Sequence, residues 1–100
     1  MGSKVYYMGR SWRRGKKYVV IVGNRAVHFG DASMQDFTTH HDVQRRRNYI
    51  SRHASREDWT RSGVATPGFW SRWVLWNKPT KRESIRYIET KLHATIRPLP

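Results

Sequence analysis

His40, His41 and Asp42 stand side by side, with His53 further along the chain. Imidazole and carboxylate groups are good ligands for zinc and other transition metals. Their spacing here matches no recurring metal-ligand pattern, and the chain has no cysteine to complete one. Asp42 also has a second explanation. It opens a run that reads as a helix, where a carboxylate caps exposed backbone N–H groups. No metal ligand and no cofactor is therefore assigned.

The same histidines with Asn48 suggest a nuclease of the His-Asn-His type. That motif needs its parts on two strands and a helix, whereas these fall within about one helix. Tyr7 and the Tyr18-Val19 pair weakly resemble the strand tyrosines of another nuclease class, but the glycine-bounded motif is missing. No Ser-His-Asp order, phosphate-binding glycine loop or dinucleotide fingerprint occurs. Glu57 and Asp58 are adjacent, so their side chains project in different directions and do not converge on one substrate. An ion pair with Arg56 or another arginine accounts for them better than catalysis does. No catalytic residue is assigned, and a nuclease built on the histidines stays only as a lesser alternative.

Cationic chemistry is far more abundant. The chain has 20 Lys and Arg against 7 Asp and Glu, giving a formal charge of +13. Arginine predominates, and its planar fork matches phosphate oxygens bidentately. One cluster is Arg10, Arg13, Arg14, Lys16 and Lys17, around Trp12, which could stack on a base. A second follows one face of the expected central helix, through Arg45, Arg52 and Arg56. Basic residues recur near the C-terminus, from Arg72 to Arg97. Nothing points to sequence-specific reading, since no helix-turn-helix, zinc-finger or RNA-recognition signature is present.

These groups need a frame. One hundred residues make a single domain, burying on the order of 65% of its unfolded surface. The 37% hydrophobic content with 5 Trp and 5 Tyr is too rich for a disordered chain. Lys4 to Met8, Lys16 to Val22 and Ala26 to Phe29 read as strands. The last two are joined by Gly23-Asn24-Arg25, a turn tolerant of positive φ. Asp42 caps a helix from Val43 to His53, with Val43, Ile50 and Ala54 as its apolar stripe and Tyr49 alongside. Thr66 caps a second helix with Pro67 in its first turn, placing Phe69, Trp73 and Trp76 at i, i+4 and i+7. Thr80 and Glu83 form a capping box for a third helix, packed through Ile85, Ile88 and Leu92, with Lys81, Arg82, Arg86 and Glu89 facing water. Residues 1–3 and 97–100 are expected to fray. The fold class is α+β: an N-terminal antiparallel hairpin or three-stranded sheet packed with two or three short helices. Trp59, Phe69, Trp70, Trp73 and Trp76 belong to the core or to a protein interface.

Several stretches together are distinctive. They are Val27-His28-Phe29-Gly30-Asp31, Asp36-Phe37-Thr38-Thr39-His40, the run from Arg45 through Arg47 to Arg52-His53, and Glu57-Asp58-Trp59. The last and most unusual is Pro67-Gly68-Phe69-Trp70-Ser71-Arg72-Trp73-Val74-Leu75-Trp76-Asn77-Lys78. The combination resembles a family of small basic proteins encoded by large double-stranded DNA viruses and related viral genomes, over roughly residues 16 to 90. The resemblance carries no activity and transfers no functional residue. It implies a viral origin and two settings, packing a genome or building a particle.

The expectation is a non-enzymatic viral structural protein, a minor virion or capsid-associated component. Its arginines would meet nucleic acid (DNA or RNA, without sequence specificity) or another anionic surface, such as the inner face of a membrane. Its aromatic residues would meet neighbouring virion proteins. A sequence-independent nucleic-acid-binding protein acting in infected cells is the alternative. No apolar run approaches the ~20 residues of a membrane-spanning helix, and the N-terminus lacks the apolar segment of a signal peptide. The expected location is the virion or the interior of the infected cell.

Overall fold

A computed structural model describes residues 4–100, and the fraying expected over residues 1–3 lies outside them. The first three strands are β1 (Lys4–Arg10), β2 (Lys16–Val22) and β3 (Arg25–Asp31). β2 and β3 form the expected hairpin, with Gly23 at φ 63 in its turn. β1 adds antiparallel to β2.

The chain then enters helices. Asp36 caps the short helix α1 (Phe37–His40), and Asp42 caps α2 (Val43–His53) by accepting from Gln44 and Arg45 N–H. A 3₁₀ turn (Arg61–Gly63) leads to α3 (Pro67–Trp70), whose Thr66 cap accepts from Phe69 N–H. α3 runs directly into a π turn, Ser71–Leu75. α4 (Lys81–Leu92) ends at His93 in the left-handed region, which turns the chain into β4 (Ala94–Pro98).

β4 lies parallel to β1, giving a four-stranded mixed sheet in the order β3-β2-β1-β4. The architecture is therefore α+β, with one strand more than expected. The C-terminal tail does not fray at residue 97: Arg97 and Pro98 belong to β4, and Leu99 N–H continues to Met8 O at 3.0 Å. The reason is physical. β1 would otherwise present a bare edge of unpaired backbone groups, and the tail satisfies them.

The sheet's two faces differ. Tyr6, Met8, Val20, Val27 and Phe29 point into the core, where they meet Phe69, Trp70, Val74, Ile88 and Leu92. The opposite face carries Val5, Tyr7, Val19, Ile21, Ala26 and His28, by strand alternation and register.

Two helical stripes depart from their expected form. Phe69 and Trp76 are buried but Trp73 is only partly so, because the π turn adds a residue and rotates everything after Trp70. In α2, Val43 is 57% exposed and Ala54 is also exposed. That helix touches the body through Tyr49, Ile50 and Arg46, so its packed stripe is narrower than its apolar spacing suggests. The α4 cap is half a capping box. Thr80 accepts from Glu83 N–H, but the carboxylate of Glu83 bonds the Thr80 hydroxyl rather than a backbone N–H. Glu89 does not simply face water, since it accepts from Ile96 N–H at 2.9 Å.

Candidate nucleic-acid interface

The loop between β1 and β2 displays Trp12, Arg13 and Arg14, and it is pinned from below. Ser11 N–H reaches Lys17 O at 3.1 Å, and Lys16 N–H reaches Arg13 O at 3.2 Å. Gly15, at φ 86, closes the turn in a conformation that side chains rarely adopt. The Ser11 hydroxyl bonds His28 Nδ1 at 2.7 Å and accepts from Arg13 N–H at 2.9 Å. The Trp12 ring stands edge-on to His28 with centroids 4.7 Å apart, yet Trp12 remains 69% exposed. Burial, then the charges of Arg13 and Lys16, hold His28 below its ordinary pKa. The loop is therefore an ordered platform carrying a tryptophan and two free guanidinium groups.

Among the described residues, Lys17 is the only lysine or arginine within ion-pair distance of a carboxylate, that of Asp36. Lys17 is thus committed to the buried N-cap of α1. Arg10, Arg13, Arg14, Lys16, Arg45, Arg52 and Arg56 are all exposed, without a carboxylate partner among the described residues.

A second set of cations is occupied by aromatic rings. Arg72 lies 4.3 Å from the Trp73 ring and 5.4 Å from Trp59. Lys91 also sits on Trp73, Lys78 on Tyr87, Lys81 on Tyr18 and Arg46 on Phe37. Arg46 further donates to Asn77 O at 3.0 Å, and Arg72 to Trp76 O at 2.8 Å. The ring-bound cations cluster around the tryptophan segment, α4 and the inner side of α2. The free ones are densest on the β1–β2 loop and the outer side of α2, with others at Arg25, Arg61, Arg82, Arg86 and Arg97.

The tryptophan segment itself is interior. Phe69 and Trp70 are fully buried and Trp76 nearly so. Trp70 Nε1 donates to Val64 O at 2.7 Å, and Trp73 Nε1 to Trp59 O at 2.9 Å. Trp59 and Trp73 are half-buried beneath the Arg72 guanidinium.

The histidines are dispersed. His53 stacks on Tyr49 at 4.2 Å, Tyr49 on Trp76 at 4.5 Å, and His40 packs against Trp76 at 5.4 Å. His40 and His53 thus bracket the stack from opposite ends of α2. His41 adopts φ 55 at the end of α1, and Asp42 caps α2. Among the described residues, no group of three or more His, Asp or Glu side chains is placed to hold a metal ion. Glu57 pairs with His53 at 3.4 Å and accepts from Trp59 Nε1 at 3.3 Å. Asp58 instead closes its own loop by accepting from Thr60 N–H at 2.9 Å and from the Thr60 and Ser62 hydroxyls. Those bonds lower its pKa. The expected arginine partners of this acidic pair are not used.

A cleft of about 290 Å³ opens beside Tyr49, with Lys16, Lys17 and Arg52 on its wall against Asp31, Asp36 and Glu57. Its charges balance, so it is not where a polyanion would concentrate. The hydroxyl of Tyr49 is pushed well above its usual pKa, chiefly by burial and next by the Glu57 charge, and stays protonated.

Sequence reasoning missed the exposed side of β1. Val5 is 41% and Tyr7 40% exposed, on the sheet face that no helix covers. The unbroken apolar run Val5-Tyr6-Tyr7-Met8 was the available signal, since a strand apolar on both sides has two faces to account for.

No helix among the described residues is long and apolar enough to cross a membrane. No curated protein and no solved structure matches the chain. Residues 7–53, from β1 to the end of α2, match the profile of a family of unknown function, DUF5754.

Proposed function

We propose that this chain is a non-enzymatic, sequence-independent polyanion-binding protein whose natural ligand is nucleic acid. On the resemblance to small basic proteins of large DNA viruses, we place it in the virus particle as a minor, genome-facing component. The observation that carries the reading is the set of exposed arginines and lysines without carboxylate partners, around the β1–β2 loop and along outer α2. A surface built for ordinary solubility intersperses both signs. Here the acids are capping helices, closing loops, binding a strand N–H or serving a histidine, and the cations of the β1–β2 loop and outer α2 other than Lys17 are left for an external anion. The tryptophan segment supplies the rigid body that holds both cationic surfaces in place.

Duplex DNA titrated at several salt concentrations tests the reading. Neutralising about six phosphates gives a log–log slope of about −5, and affinity falls roughly a thousandfold between 50 and 200 mM salt. Scrambling the DNA sequence leaves affinity unchanged. Absence of binding even at low salt overturns the proposal. Mass spectrometry of purified particles tests the setting. Absence from the particle, with DNA binding intact, moves the protein's action to the infected cell.

A further inference from the structure

The sheet face turned away from the helices carries two adjacent rows of residues. One row crosses β4, β1, β2 and β3 through Arg97, Tyr7, Ile21 and Ala26. The next runs through Gly9, Val19 and His28. The second row is roofed. Leu99 lies against Gly9, where an added Cβ would meet its side chain at 3.1 Å, and Trp12 stands over His28. The first row is open, with Tyr7 40% exposed and Val5 41% exposed beside it.

Two features separate this face from the rest of the molecule. No acidic residue precedes Asp31 in the chain, and β4 has none, so neither row contains a carboxylate. Nor does any cation among the described residues sit on the Tyr7 or Trp12 ring, although most other exposed or half-exposed rings carry one. Two flat aromatic surfaces are thus left free, one on the sheet and one on the loop above it, with Arg13, Arg14 and Arg97 around them.

We propose that this open face binds single-stranded nucleic acid, with bases stacked on Tyr7 and Trp12 and phosphates on the surrounding arginines. The inference rests on the polyanion reading and narrows it to a strand form. Aromatic platforms gain most from unpaired bases, whose faces are accessible; in a duplex those faces are hidden in the stack. Strands lie about 4.8 Å apart, so Tyr7 on β1 and Trp12 over β3 are offset by about two strand spacings, room for successive bases to splay. A second copy of this chain is a poor occupant. Face-to-face packing would set Arg13, Arg14 and Arg97 against the same cations, with no acid to compensate.

The experiment compares a fluorescein-labelled oligothymidylate with a duplex of equal phosphate number, at one fixed low salt concentration, using the full chain. Tyr7→Ala and Trp12→Ala are each expected to weaken single-strand binding about tenfold. The duplex changes by less than about twofold, and Tyr7→Phe restores binding. Equal losses on both ligands, or no loss on either, overturn the stacking site while leaving the polyanion reading standing. Failure of the parent protein to bind either ligand overturns both. Photocross-linking of the parent to a bromodeoxyuridine oligonucleotide guards against a variant that fails to fold. Cross-links are expected within residues 5–14, and cross-links confined to α2 overturn the assignment. So does a concentration-dependent dimer that Tyr7→Ala abolishes while oligonucleotide affinity is unchanged.

Discussion

Replacing Arg72 with alanine separates a structural cation from those proposed to bind nucleic acid. The guanidinium faces the Trp73 ring at 4.3 Å and Trp59 at 5.4 Å, and its Nη1 donates to Trp76 O at 2.8 Å. Trp76 follows the π turn, and its carbonyl would otherwise sit unpaired at a helix end. The two ring contacts are worth about 0.5–1 kcal/mol each at this partial exposure, and the charged hydrogen bond about 1.5–3 kcal/mol. Against them stands desolvation. Burial, followed by the nearby Arg46 charge, lowers the Arg72 pKa to about 10, and Nε has no partner. That depression corresponds to about 3 kcal/mol at most, and solvent screening at a half-buried site reduces it to about half. The net contribution is about 2 kcal/mol. With a urea m-value of about 1–1.5 kcal/mol/M for a chain this size, the Arg72→Ala midpoint falls by about 1.5 M. Arg72→Lys retains the charge but loses the planar stack, and falls in between. The salt slope of DNA binding is unchanged in both variants, because Arg72 faces rings and not solvent. A midpoint shift below about 0.5 M, or a slope reduced by about one, refutes the reasoning.

Four further outcomes follow from particular contacts. His28 and His40 are both held below their ordinary pKa, mainly by burial, then by Arg13 and Lys16 for His28 and by Arg45 for His40. The unfolded chain therefore binds protons that the fold refuses. This stability is complete above the unfolded value near 6.5 and is lost as pH falls towards the depressed folded values. The urea midpoint should drop between pH 7 and pH 5.5, and less steeply in a His28→Asn, His40→Gln double variant; a flat parent profile contradicts this. Gly30→Ala should cost about 2 kcal/mol or more by urea melting, because Gly30 has φ +84 and an added Cβ would meet Leu75 at 2.8 Å. Truncation after His93 removes β4 and uncovers the β1 edge, so the shortened chain should lose cooperative melting or aggregate in light scattering. Added monovalent salt should raise the thermal midpoint by screening self-repulsion while weakening DNA binding, and parallel changes in the two would be inconsistent with a +13 chain held against its own charge.

What could be read from the sequence was local. The caps at Asp42, Thr66 and Thr80 were legible because each bonds backbone N–H groups two or three residues away. The β2–β3 hairpin was legible because Gly23 and Asn24 separate the β-branched run of β2 from the shorter apolar run Ala26 to Phe29. β4 was not, since a parallel strand pairs across a long excursion and leaves no turn signature beside it. The π turn was hidden because the spacing of Phe69, Trp73 and Trp76 fits a regular helix equally well. The cation–ring pairs were hidden because their members are remote: Lys81 and Tyr18 are 63 positions apart. The basic cluster around Trp12 was legible as composition, but its pinning through Ser11 and His28 depends on β3 lying beside β2.

The remote pairs change what the charge means. Counted along the chain, the C-terminal arginines and lysines look as available as the N-terminal ones. In the fold, Arg46, Arg72, Lys78, Lys81 and Lys91 are attracted to ring faces, and this attraction offsets part of their mutual repulsion without using any carboxylate. Rings do this where acids would not serve as well. A carboxylate at each site would bring the net charge towards zero and weaken the long-range field that, on the proposed function, would draw in a polyanion, whereas a ring holds the cation in place and leaves its charge in the field. The tryptophan-rich segment and the arginine-rich loop are thus two halves of one solution: the rings hold part of the charge within a small domain, and the loop and outer α2 carry the densest part of the charge that has neither ring nor carboxylate.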